Sequence, residues 1–361
     1  MPASFLPLFD ELEALARNED PRRFQQRFGE IWTAAQDLGP EELTAGVERI
    51  GTFLGGCWGI FAKSAVLAGA LVERGGSPVP LAGVLPKRAA VAMERRVQFP
   101  GVWAAATRGR PLPDPAGGLS GLVDAGMRIK KKAKRTGLSE DECFIVSVSW
   151  FDTEEWLKAL ITVLALRDFR AAMGEHDRIR VRDAAAAIAH DVQRAHWVLG
   201  LSVVLDDEPL IVLDPSSGRG FRLTMSGVGD NHQLHTLLAD RLMGPGLLDG
   251  ERPGDAWVAA ASTAHPTPPG NDPIYRRFRL FDGTGAYVYP EGRPADIERL
   301  NGMRVLVLHP PRGNYGWLNG RTYEHMESQL DLDGELTPVE AGDWLARVAP
   351  ARETDLMGMN P

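Results

Sequence analysis

Apolar positions recur at helical spacing through the first hundred residues. In Phe5–Arg17 they fall at Phe5, Leu8, Phe9, Leu12 and Leu15, one face of a helix. Pro21 opens a second helix carrying Phe24, Phe28, Ile31 and Trp32. Gly39 and Pro40 separate it from a third, with Leu43, Val47, Ile50 and Leu54. A glycine cluster over 51–59 breaks the run, and further helices are expected over 60–74 and 86–99. Consecutive helices with short Gly/Pro joints predict antiparallel hairpins in an irregular helical array. A HEAT-like stack is one form of this, although no residue pattern repeats.

The pattern changes after residue 106. The stretch 107–121, TRGRPLPDPAGGLSG, has Pro and Gly in place of periodic apolar residues, so it reads as a linker or long surface loop. A basic run follows. Beyond it, the stretch 143–150, CFIVSVSW, is rich in strand formers behind a Ser139–Glu142 capping box, and is ambiguous between helix and strand. A second capping box, Asp152 with Glu155, predicts the start of an amphipathic helix through Phe169, and another helix is expected over 183–194.

Strand-like runs then dominate: 197–205, 210–214, 221–225, 257–261, 278–281, 286–289 and 304–309. Helices are expected over 231–243, capped by Asp230, and over 295–300. The resulting fold class is α+β: an all-helical N-terminal array followed by a domain with a mixed or antiparallel sheet. The expected domains are 1–106, a Pro/Gly-rich and basic linker over 107–138, and 139–361.

Composition narrows the classes. The chain has 361 residues, 44% hydrophobic and 24% charged, the profile of a globular protein with a sizeable core. The net charge of −8 argues against a general nucleic-acid binder. Two distant cysteines, Cys57 and Cys143, exclude a disulfide framework or structural zinc site and suit a reducing cytoplasm. The N-terminus lacks a basic leader, so secretion is not expected. The best apolar stretch, 53–72, carries Lys63 and several glycines, so no membrane span is expected. Abundant Ala, Arg, Gly and Pro associate with bacterial genomes of high GC content.

Candidate chemistry is densest over 209–243, with Asp214, Ser216, Arg219, Asp230, Asn231, His232, His235 and Asp240. The DPSSGRG segment over 214–220 lacks the lysine and following helix of a phosphate loop, so a hairpin turn explains it more simply. His232 and His235 are i, i+3 partners on one helix face. With Asp230 or Asp240 they could bind a transition metal. Asp230, His232, His235 and His309 form the expected acid–base or metal cluster.

The stretch 309–321, HPPRGNYGWLNGR, offers Arg312, Tyr315, Trp317 and Asn319 as a ligand or partner surface, or as a loop packed by its own aromatics. The basic run holds Arg128, Lys130, Lys131, Lys132, Lys134 and Arg135. Six positive charges in eight residues would attract phosphates or an acidic protein face, or simply stay solvated; no interleaved aromatics offer a stacking platform for single strands. The segment 329–340 is similar to an EF-hand calcium loop. Asp331, Asp333, Glu335 and Glu340 are its acidic positions and Gly334 its sharp turn, but Gln329 stands where Asp is required. The simpler reading is a turn followed by a Thr337–Glu340 capping box.

No catalytic signature emerges, and whether the chain is an enzyme stays open. The leading expectation is a non-catalytic adaptor or scaffold of a bacterial cytoplasm. Its partner would be another protein, and no cofactor is expected. The alternative is a metal-dependent or hydrolytic enzyme centred on His232 and His235.

Overall fold

The computed structural model describes residues 5–264, 273–318, 320–323 and 325–352. The chain forms two compact units, Met1–Ser202 and Val203–Pro361. The first is an irregular helical array and the second an α+β unit. The boundary therefore lies at 202/203 rather than around the 107–138 stretch.

Unit 1 holds α1 (Phe5–Arg17), α2 (Pro21–Ala34), α3 (Pro40–Leu54), α4 (Lys63–Glu73), α5 (Leu85–Thr107), α6 (Gly118–Lys130), α7 (Ala133–Thr136), α8 (Glu140–Leu164), α9 (Arg167–Ala172), α10 (Glu175–Ile188) and α11 (Gln193–Ser202). The expected linker thus contains two helices. Its prolines lie before α6, while Gly121 and Gly126 within α6 sit against Phe151 and Ser147 of α8, which hid the periodicity.

The longest helix, α8, is the hub of the unit. It packs against α4, α5, α6 and α11. Ser139 caps it, with Glu142 closing the box and three acids in the first turn. That N-terminal signal outweighs the modest strand preference of 143–150, which is helical. Asp152 starts no helix. It is buried in the middle of α8, and its Oδ2 accepts the Gly59 N–H at 2.9 Å. The expected strand over 197–205 is also mostly helix, because it continues α11.

Unit 2 is built on β1 (Glu208–Asp214), β2 (Arg219–Ser226), α12 (Asn231–Met243), α13 (Asp255–Ser262), β3 (Ile274–Tyr275), β4 (Arg279–Asp282), β5 (Arg299–Leu300), β6 (Met303–His309), β7 (Gly316–Trp317), β8 (Gln329–Glu335) and α14 (Pro338–Leu345). The main sheet runs β4-β6-β1-β2-β8, with β5 paired to β6. It is mixed: β1 and β6 are parallel, and the other pairs are antiparallel. Residues 257–261, read as a strand, lie in α13. The 286–289 run makes only a bridge at Phe281–Tyr287, and 294–296 form a single 3-10 turn.

The unbroken apolar run of β1 now has a cause. Leu210 and Val212 face α12, where they meet Leu234, Leu237, Leu238 and Leu242. Ile211 and Leu213 face the other way, toward α14 with Ala341, Trp344 and Leu345. A strand covered on both faces needs apolar residues at every position. The β1–β2 turn is set by Asp214, whose carboxylate accepts from the Ser216 N–H and from the Ser216 and Ser217 hydroxyls, while Gly218 takes φ +72°. This is the expected hairpin, and Arg219 leaves it to pair with Glu335 at 2.6 Å.

Candidate functional site

The N-terminus of α12 is the polar centre of unit 2. Asp230 Oδ1 accepts the Gln233 N–H at 2.8 Å as the helix cap, and its Oδ2 accepts the Thr322 N–H at 2.6 Å. Asn231 Nδ2 donates to the Tyr289 carbonyl at 2.8 Å. Gln233 donates to the Ala261 carbonyl and the Ser328 hydroxyl. One helix end thereby fixes the stretch holding Thr322 and Ser328, the loop at Tyr289 and the end of α13. Asp240 pairs with Arg252 at 2.6 Å. Both aspartates are thus engaged by partners of their own.

His235 is buried, and its Nε2 accepts the backbone N–H groups of Arg277 at 2.9 Å and Phe278 at 3.2 Å. Burial, reinforced by Arg276, Arg277 and His232, pushes its pKa down to about 3. The ring is therefore neutral with its proton on Nδ1. A metal at Nδ1 would require that proton to move to Nε2, where two N–H groups already point. His232 is lowered by burial as well, and its ring lies tilted against Trp317 at 4.8 Å.

His309 does not join them. Its neighbour Leu308 faces α12, so His309 faces the opposite side of the sheet. There its ring meets Phe281 at 4.9 Å, beside the α14 core. The expected cluster of Asp230, His232, His235 and His309 is thus divided by the sheet and by capping. Among the described residues, no group of three or more His, Cys, Asp or Glu side chains is placed to hold a metal ion.

The segment similar to a calcium loop falls on a strand followed by the expected Thr337–Glu340 capping box. Residues Gln329–Glu335 form β8, paired along β2. The backbone here is extended and paired, not the tight loop that wraps an EF-hand ion. Each carboxylate there is otherwise engaged. Asp331 accepts from Gln329, Asp333 from the Thr224 hydroxyl, and Glu335 pairs with Arg219. Glu340 closes the Thr337 capping box and pairs with Arg222, which hold its carboxyl down at about 2.

The 309–321 stretch turns its aromatics inward. Trp317 is buried with Trp257 and Ile274. The Tyr315 hydroxyl donates to Glu291 at 2.6 Å and is pushed up to about 12 by that carboxylate. The Arg312 carbonyl accepts from Arg276 at 2.8 Å. Asn319 lies outside the described residues. Arg276, Tyr287 and Glu291 complete this cluster. Sequence reasoning missed them because separate segments bring them there: Arg276 follows β3, which pairs with β7, and Tyr287 is placed by its bridge to Phe281.

Unit 1 presents a different site. A groove of about 440 Å³ is lined by α6 and α8, by Trp58, Gly59, Ile60 and Phe61 as its floor, and by Ala16, Glu19 and Pro21 where α1 passes to α2. Its rim is apolar yet open to solvent: Leu119, Val123, Met127 and Phe144 are 45%, 55%, 51% and 52% exposed. Leu119, Val123 and Met127 are spaced i, i+4, i+8 along one stripe of α6. Gly59 has φ +58°, and a side chain there would come within 3.2 Å of Leu122. It therefore shapes the floor in two ways. Asp152 fixes that floor by accepting from Gly59, and burial pushes its carboxyl up to about 7. Arg88, stacked at 3.6 Å over Trp58, donates to the Cys57 carbonyl beside it.

Lys130 sits at the groove's edge and pairs with Glu140 at 3.0 Å. Lys131, Lys132, Lys134 and Arg135 follow, exposed and without an ion pair among the described residues. No helix among the described residues is long and apolar enough to cross a membrane. No family model, curated protein or solved structure matches this chain, so its function is argued from its own residues.

Proposed function

We propose that the chain is a non-catalytic docking protein whose α6–α8 groove receives an acidic, amphipathic helix of another protein. The carrying observation is the stripe of four half-exposed large apolar side chains beside four unpaired cations. Helix-in-groove recognition uses i, i+3, i+4 and i+7 apolar anchors. Covering the exposed halves of these four side chains contributes on the order of 3–6 kcal/mol before association costs. The basic strip supplies orientation and attraction for a negative face. A bacterial cytoplasmic setting belongs to the same proposal: both cysteines are buried free thiols, with Cys57 pushed up to about 11 by burial. The enzyme alternative gains less support, since the nitrogen of His235 that would serve it already accepts two backbone donors.

Two labelled eighteen-residue helical peptides with the same Leu/Phe face test the proposal, one with Glu on its polar face and one with Lys. Fluorescence anisotropy with the full chain should show the acidic peptide binding at least about tenfold tighter, with affinity falling as salt rises. Equal affinities, or no binding of either peptide, refute it.

A further inference from the structure

A small cavity of about 10 Å³ lies beside α12. It is lined by Asn231, His235, Arg276, Tyr287 and Trp317, with Phe278, Leu280, Val288 and Pro290 as its apolar wall. A space of that size takes one atom-sized occupant. Three N–H donors on its polar wall have no partner: His235 Nδ1, Trp317 Nε1 and Arg276 Nε. The first is a donor of necessity, because Nε2 of that ring accepts two backbone N–H groups. His235 and Trp317 are both more than nine-tenths buried, their rings edge to face at 5.0 Å.

Arg276 brings a positive charge. Its terminal nitrogens donate to the Tyr287 hydroxyl and the Arg312 carbonyl, both uncharged, and among the described residues no carboxylate pairs with it. Glu291 is engaged by Tyr315. A half-buried cation without a counter-ion is costly.

We propose that this cavity binds a monatomic anion of halide size, held by His235 Nδ1–H, Trp317 Nε1–H and the Arg276 guanidinium. Asn231 Oδ1 is the only unpartnered acceptor on the wall. One amide dipole is outweighed by three donors and a full charge. A water molecule has two lone pairs, so it would leave one donor unmet and the charge unbalanced. This site is independent of the docking groove, which lies in the other unit.

The test is thermal unfolding of the full chain at constant ionic strength, with sodium gluconate exchanged stepwise for sodium chloride or bromide. Chloride and bromide should raise the Tm of the unit 2 transition saturably, by about 2–4 °C, and sulfate should not. Trp317→Phe keeps the ring and removes the donor; Arg276→Met keeps the stem and removes the charge. Each should abolish most of the shift, and either one suffices if the other does not fold. Coincident melts in gluconate, sulfate and chloride would assign the cavity to water and overturn the proposal. So would a halide shift that persists unchanged in both variants.

Discussion

Two thirteen-residue helices, α6 and α12, show how differently this chain uses the same element. In α12, eleven residues are buried; in α6, two are, Ala125 and Ile129. Asp230, Asn231, Gln233 and His235 at the start of α12 each bond to another segment. The outward stripe of α6 is apolar and carries nothing. A helix buried nearly all round is a foundation. A helix anchored by two residues, with large apolar side chains turned outward, is a surface waiting for cover. The difference places stability in one and, in the proposed docking role, recognition in the other.

The largest expected effect is in the foundation. Leu238→Ala removes a side chain packed between α12 and the sheet. It should destabilise unit 2 by about 2–5 kcal/mol, read by chemical denaturation. Val123→Ala on α6 should cost less than about 0.5 kcal/mol. Comparable losses at the two sites would erase the distinction.

The next effect is that of pH, which should act on the two units in opposite senses. His235 in unit 2 is lowered from 6.5 to about 3, so its stabilising contribution is complete above pH 6.5 and is lost as pH falls from there toward 3. Asp152 in unit 1 is raised from 3.8 to about 7, so the folded state holds its proton longer, and stability falls as pH rises from 3.8 toward 7. Each slope is bounded by about 1.4 kcal/mol per pH unit. His235→Gln and Asp152→Asn should flatten the respective slopes in denaturation series at pH 4 to 8. Asp152→Asn keeps an acceptor for Gly59 and should raise unit 1 stability at pH 8. Unchanged slopes would mean that neither group controls its unit.

Smaller still is the cap. Asp230→Ala should cost about 1–2 kcal/mol, seen as a lower denaturation midpoint for unit 2. The smallest stability effect should accompany the greatest functional one. The double variant Val123→Asp, Met127→Asp should unfold within about 0.5 kcal/mol of the wild type, yet bind the acidic peptide at least about tenfold more weakly. Retained binding would move the docking surface away from α6.

The same contrast explains what could be read from sequence. The Asp230 cap, the Ser139 box, the 214–219 turn, β1 and β6 were legible because their signals are local: a side chain two or three residues from the backbone group it serves, or a run apolar enough for two covered faces. The strands expected at 197–205 and 257–261 failed because aromatic and β-branched residues are read as strand formers, while tertiary packing holds these segments as helices. The calcium-like spacing says nothing of conformation: it falls on β8, where each carboxylate has its own partner. Convergence of His309 with His235 depended on which face of β6 each neighbour takes. The groove was hidden because the glycines of α6 resemble those of a linker, although the stripe Leu119, Val123, Met127 was present in the sequence and went unread.

The central claim is that α6 is a docking surface. Amide hydrogen exchange of the full chain, with and without the acidic amphipathic peptide, tests it most directly. Residues 118–130 and the facing turn of α8 around Phe144 should gain protection when peptide is present, and α12 should exchange as before. Protection that appears elsewhere and leaves 118–130 unchanged would contradict the account.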